Sequence, residues 1–284
     1  MKIPGIAYGV LIALILIIVA VALRHQEKPE RQVIVRTQAT PYAQMSEFSQ
    51  LDTDRTVMVH CGASMRVVME QIAAEFQRRY DIGVQFNFGG SAELLSSIEI
   101  GRIGDIYVCH DPYAERIDEK GLLSEYVTAG GLEPVIMVPK NNPQEIEDLS
   151  SLRRPGLRIG MTDSRYSTAG RLVDEAIEER GWKEEIRNNI VIESRAHNEL
   201  ALALLSGHVD ASVAWNFLPG LYQDEMDSIR PGVEFPDIRV TVCLLETSEN
   251  VEDARKFMEF TTSEFGREAL RYFGYLIYDE DDTE

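Results

Sequence analysis

Cysteine is scarce in this chain. Three residues in 284, Cys61, Cys109 and Cys243, are too few and too scattered for a disulfide framework. Positive charge is also short, with 28 Lys and Arg against 47 Asp and Glu and a formal net charge of −19. That balance excludes nucleic acid as the natural partner, because phosphate backbones require clustered cations. It leaves room for a small anion wherever local dipoles overcome the overall field. Apolar and charged residues make up 44% and 26%, so the chain has the composition of a folded protein and the length for one large or two modest domains.

The one long apolar run, Ile6 to Leu23 behind Lys2, approaches the thickness of a bilayer. It ends in Ala20-Val21-Ala22, the small-x-small form of a signal peptidase site, so a cleaved signal and an uncleaved anchor are both open readings. The length of the run favours the anchor. No lipobox cysteine follows it. Residues 1–23 are therefore read as a signal or membrane-anchor helix, and residues 24–55, polar and carrying Pro29 and Pro41, as a linker. The acidic residues 279–284 read as a solvated tail. The expected location is the periplasm or cell exterior, tethered to the membrane.

From Thr56 onward, strand-like and helix-like segments alternate, the pattern of doubly wound parallel sheets. Two such sets are joined by the extended segments "LEPVIMVPK" and "IRVTVCLLE". The expected fold class is α/β, with two doubly wound lobes joined by a two-stranded hinge. Lobe one would hold residues 56–134 plus 239–278, and lobe two residues 135–238. Serines stand at two consecutive strand-to-helix turns, in "CGASM" and "FGGSAEL". Ligands of open α/β sheets sit at such turns, and helix mouths attract anions. The plain alternative is that Ser64 and Ser91 are helix caps. "TDSRYSTAG" and "SRAHNE" hold the equivalent place in lobe two.

Over residues 56 to 278 the chain resembles the molybdate-binding proteins of ABC transporters, within the type II periplasmic solute-binding proteins. The resemblance rests on "ASMRVVMEQIAAEF", "FGGSAELLSSIEIGRIGDIYVCHD", "LALALLSGHVDASVAW" and "KFMEFTTSEFGREALRYFGY". It implies an oxyanion, molybdate or tungstate, held without cofactor by serine hydroxyls, backbone N–H groups and one tyrosine. Carried over singly, these positions fall on Ser64, Ser91, Ala169, His197 (or Asn198) and Trp215. Trp215 replaces the tyrosine with an N–H that donates and never accepts. His197 stands where relatives with a six-coordinate centre carry a carboxylate, so a tetrahedral anion held by hydrogen bonds is expected. Donors alone would reject hydrogen phosphate, whose own O–H would find no acceptor. The implied partners are a membrane permease and the membrane itself; the protein is expected to be monomeric and not an enzyme.

One feature is not part of that resemblance. His60-Cys61 and Cys109-His110 end strands expected to be neighbours, so a soft metal site is a conceivable cluster, although adjacent strand residues face opposite ways. Buried structural cysteines, a Cys61–Cys109 disulfide, and a Cys61 nucleophile with His60 or His110 as base are the other readings. Sulfate is the competing anion.

Overall fold

The computed structural model describes residues 55–278, so the expected anchor, most of the linker and the acidic tail lie outside the described residues. The first half of the chain builds β1 (Thr56–Gly62), α1 (Arg66–Tyr80), β2 (Gly83–Gly89), α2 (Ser91–Gly101), β3 (Ile106–His110), α3 (Tyr113–Glu119) and β4 (Leu123–Leu132). The second half continues with β5 (Pro134–Pro139), β6 (Ile159–Thr162), α4 (Thr168–Glu179), α5 (Lys183–Asn189), β7 (Ile190–Ser194), α6 (His197–Leu205), β8 (Ala211–Trp215), α7 (Phe217–Leu221) and β9 (Met226–Ile229). The chain then returns through β10 (Ile238–Leu245), α8 (Val251–Thr261) and α9 (Glu264–Tyr272).

Local chemistry accounts for the boundaries. Helix α1 buries Val68, Met69, Ile72, Ala73 and Phe76, a single helical stripe, and stops where Asp81 turns left-handed at φ 55°. Phe76 is fully buried, with the rings of Phe257 and Phe260 at 5.2 and 5.6 Å, so helices α1 and α8 share one apolar seam. Burial of such a side chain contributes roughly 1.5–3 kcal/mol. On the same helix the Glu75 carboxylate accepts from Arg78 and Arg79 at 2.6–2.7 Å, and these two guanidinium groups hold it at about 2.

The strands form two five-stranded sheets, in the orders β2-β1-β3-β10-β4 and β7-β6-β8-β5-β9. Both belong to the compact unit Met45–Glu284. In each sheet three strands pair in parallel, β2-β1-β3 and β7-β6-β8, and one reversed strand, β10 or β5, pairs antiparallel with both of its neighbours. The expectation of wholly parallel sheets is corrected here: β5 and β10 are the extended segments that cross between lobes, and each enters its new sheet against the direction of its neighbour. Strands β4 and β9 were not expected. Their sequences, "LSEYVTAGGL" and "MDSI", carry too little apolar periodicity to announce a strand. The core of the second sheet gathers Ile136, Val138, Ile159, Met161, Val173 and Val213, and that of the first packs Leu94, Ile98, Tyr107 and Ile117 beneath α2 and α3.

Two passages join the lobes, one at Glu133 between β4 and β5 and one before β10. Asn216 braces the first. Its backbone N–H donates to the Glu133 carbonyl at 3.0 Å, and its side chain accepts from Glu133 N–H at 3.2 Å. The Asn216 amide also donates to the Gly274 carbonyl at 2.8 Å. Beyond α9 the chain pairs with β4, where Gly131 and Leu276 exchange hydrogen bonds of 2.8 and 2.9 Å.

Candidate functional site

The carboxyl ends of β1, β2 and β3 face those of β6, β7 and β8 across a cleft of about 530 Å³. On the first side, β1 leads through Gly62 into a 3₁₀ turn, Ala63–Met65, before α1 begins. Ser64 lies in that turn and Ser91 is the first residue of α2; both line the cleft. Neither serine is a cap. Gly90 precedes α2, and the Glu93 carboxylate accepts its N–H at 3.2 Å. The Ser64 hydroxyl reaches only the Met65 thioether at 2.9 Å, a weak acceptor, and the Ser91 hydroxyl has no hydrogen-bond partner among the described residues. Gly62 allows this approach, since a Cβ there would stand 3.1 Å from Ser91 Oγ. Two buried tyrosines fix the backbone at these serines: Tyr107 donates to the Ser91 carbonyl at 2.7 Å and Tyr275 to the Ser64 carbonyl at 2.6 Å.

On the second side, Ser167 caps α4 by accepting Gly170 N–H at 3.3 Å. Its hydroxyl also lies 3.4 Å from His197 Nε2. His197 Nδ1 is buried without a partner among the described residues. Burial, reinforced by nearby His110, lowers the His197 pKa to about 4. Trp215 ends β8, is 2% exposed, and lies against the rings of His197 and His110 at 6.2 and 6.1 Å. Its indole N–H has no partner among the described residues.

Ser64, Ser91, His197 and Trp215 thus line one cleft. Ala169 does not line it with its side chain, which is fully buried, but its N–H precedes the first intrahelical bond of α4. Asn198 does not line the cleft.

Among the lining residues that the sequence did not place in the site, three bear on its charge. Arg165 is locked to Asp163 through bonds of 2.9 and 2.7 Å, which hold that carboxylate at about 2, and Arg195 lies 3.3 Å over the Tyr166 ring without an ion-pair partner among the described residues. The cleft therefore does not rely on neutral donors alone. Both arginines stand inside the quoted stretches "TDSRYSTAG" and "SRAHNE", so their position before a helix mouth was the available signal. The third is His110, which the sequence offered only as a member of a conceivable metal cluster.

That cluster does not assemble. His60 is held away from the cleft by the Ile103 carbonyl and Asn87, both at 3.1 Å, while His110 faces into it. Among the described residues no group of three or more His, Cys, Asp or Glu could hold a metal ion. The Cys61–Cys109 disulfide is not formed; Cys109 instead neighbours Cys243, which lies diagonally across β3 and β10. A Cys61 nucleophile is contradicted too. The thiol is fully buried, and burial pushes its pKa well above the ordinary value, so no thiolate forms at neutral pH.

The family described as bacterial extracellular solute-binding protein matches residues 57–276. A Haemophilus influenzae protein named only for binding is 23% identical over 216 residues, 76% of this chain and 87% of its own length. The molybdate-binding protein ModA of Mycobacterium bovis is 23% identical over 234 residues, 78% of this chain and 84% of its own. Among solved structures, one described as the substrate-binding domain of a molybdenum ABC transporter from Clostridium difficile superposes with a TM-score of 0.68 at 21% identity, covering 79% of this chain and 99% of that one.

Proposed function

We propose a function from one premise, that this chain belongs to the bacterial extracellular solute-binding protein family. It captures a tetrahedral oxyanion, molybdate or tungstate, in the cleft and passes it to the membrane permease of an ABC transporter. The observation that carries this reading is the set of unused donors. The Ser64 and Ser91 hydroxyls and the Trp215 indole N–H all belong to residues bordering one cleft; Ser91 and Trp215 have no partner among the described residues, and Ser64 has only the weak Met65 thioether.

The physical chemistry follows from what such an anion lacks. It has acceptors only, so each oxygen needs an N–H or O–H aimed at it. Helices α2, α4 and α6 begin at the cleft and add the partial positive charge of their first turns. Arg195 at the rim attracts the anion from solution without stripping its own hydration, which speeds capture. Donors from both lobes can meet one small anion only when the lobes approach, so binding draws the equilibrium toward a closed state. The closed form is what a permease would recognise. The relative named for molybdate supports this choice of ligand. The apolar run Ile6–Leu23 would keep the protein beside its permease.

Thermal melting of the full-length chain with molybdate, tungstate and sulfate tests the reading. At about a thousand times its dissociation constant, a specific anion stabilises by roughly 4 kcal/mol. A clear shift with sulfate and none with molybdate or tungstate would reassign the ligand.

A further inference from the structure

His110 closes β3 at the floor of the cleft, and its two ring nitrogens are not equivalent. Nδ1 lies 2.8 Å from the Asp111 carbonyl oxygen, which can only accept, so Nδ1 carries a hydrogen. In the neutral ring Nε2 is then a bare lone pair, with no donor to it among the described residues. The ring lines the cleft, edge-on to Tyr113 at 5.6 Å and tilted against Trp215 at 6.1 Å. Other groups there that could meet an anion, Ser64, Ser91, Trp215, Arg165 and Arg195, offer hydrogens. A lone pair among them repels an anion's oxygen unless a proton stands between the two.

Resting on the oxyanion reading above, we propose that the cleft binds its anion together with one proton, shared between His110 Nε2 and an anion oxygen. His110 is then the residue that selects the protonation state. A fully deprotonated dianion requires a proton from solvent on Nε2. An oxyanion that already bears one O–H brings the proton itself and donates it to neutral His110. Both complexes hold the same number of protons, and no other atom changes its bonding. This revises the argument that donors alone line the site and reject hydrogen phosphate.

His197 cannot take this part, because its Nε2 is engaged by Ser167 and it begins α6, where positive charge is disfavoured. The charged and titratable groups around His110 oppose one another. Asp111 on its own loop favours the proton, whereas the positive charges of Arg165 and Arg195 on the lobe-two loops lining the same cleft disfavour it; His197 of α6 is neutral at neutral pH. Tyr113 of α3 meets the ring edge-on, and Glu93 stands on α2 with its carboxylate on Gly90 N–H. Burial keeps the free residue below the ordinary histidine range, so it is neutral at neutral pH before the anion arrives.

The test is calorimetric titration of the full-length chain with sodium molybdate, in buffers of different ionisation enthalpy between about pH 6 and 8.5. The expected result is uptake of about one proton per anion above pH 7, with affinity falling about tenfold per pH unit. His110→Gln places a fixed amide donor there and should abolish both the uptake and the pH slope. If that variant does not fold, the buffer series on the unaltered chain decides alone. Phosphate, offered where it already carries one hydrogen, should compete without further proton uptake; competition with uptake counts against the proposal. Molybdate binding with a flat pH profile and no proton exchange overturns it while leaving molybdate capture intact. Absence of binding by molybdate, tungstate and phosphate at every pH overturns both.

Discussion

Replacing Ser91 by alanine separates ligand binding from folding, because the structure assigns this hydroxyl no folding task. Gly90 occupies the cap of α2, Glu93 closes it, and Ser91 Oγ is unpartnered in a side chain 8% exposed. Removing a buried hydroxyl that bonds to nothing costs the unliganded protein a few tenths of a kcal/mol at most. The bond it would give to an anion is charge-assisted, worth about 1.5–3 kcal/mol, so Ser91→Ala should weaken molybdate by about 10- to 150-fold. Ser263 is the control. It caps α9 by accepting Gly266 N–H at 3.3 Å and does not line the cleft. Ser263→Ala should cost about 1 kcal/mol of stability and leave affinity alone. For a protein of this size that is a melting loss of about 2–4 °C. Calorimetry for affinity and thermal melting without ligand read both quantities. If Ser91→Ala melts as low as Ser263→Ala and binds molybdate normally, Ser91 is a structural residue and the assignment of the helix mouth fails.

Three further outcomes are expected. Trp215→Phe should lose about tenfold or more in affinity and most of the ligand-induced change in emission, whereas Trp182, packed between Arg153 and Arg180 against the core of the second sheet, should report nothing; equal affinities for Trp, Tyr and Phe would remove residue 215 from the site. Glu75 is held at about 2 against an ordinary 4.5, so its contribution to stability is full above about pH 4.5 and is lost as pH falls toward 2. Melting across that window should fall less steeply in Glu75→Gln, and an unchanged slope would discard the Glu75–Arg78–Arg79 group as a source of acid sensitivity. The full-length chain expressed in a bacterium should fractionate with membranes and retain Met1–Leu23; a soluble product beginning at Leu23 would mean cleavage after Ala22.

The alternation of strand and helix was legible because each buried stripe has its own period. Residues such as Val68, Ile72 and Phe76 recur at helical spacing, and α6 runs over His197–Leu205 as the sequence suggests. Strand direction was not legible, since β5 and β10 are apolar in either direction and only the crossing between lobes decides their sense. The serines were found by their place after a strand. That they are not caps could not be read, because the turn Ala63–Met65 and the Gly90–Glu93 pair shift each helix start by one or two residues. His110 was not read as a cleft residue for a related reason: sequence adjacency grouped it with Cys109, although a strand sends neighbours to opposite faces.

The chain beyond α9 gives the molecule three attachments between its lobes where the sequence suggested two. Gly274 receives the Asn216 amide, Gly220 of α7 packs so closely on Phe273 that an added Cβ would stand 2.6 Å from its carbonyl oxygen, and the Tyr275 ring stacks on Phe217 while its hydroxyl reaches Ser64. Two cords between rigid bodies permit both bending and twisting. A third attachment restrains relative motion of the lobes beyond what two alone impose, as a door gains from a second hinge plate. The segment after α9 thus ties the two lobes together. A truncation before Tyr275 would leave the serine of the first turn without its backbone clasp and allow the two halves to rotate out of register.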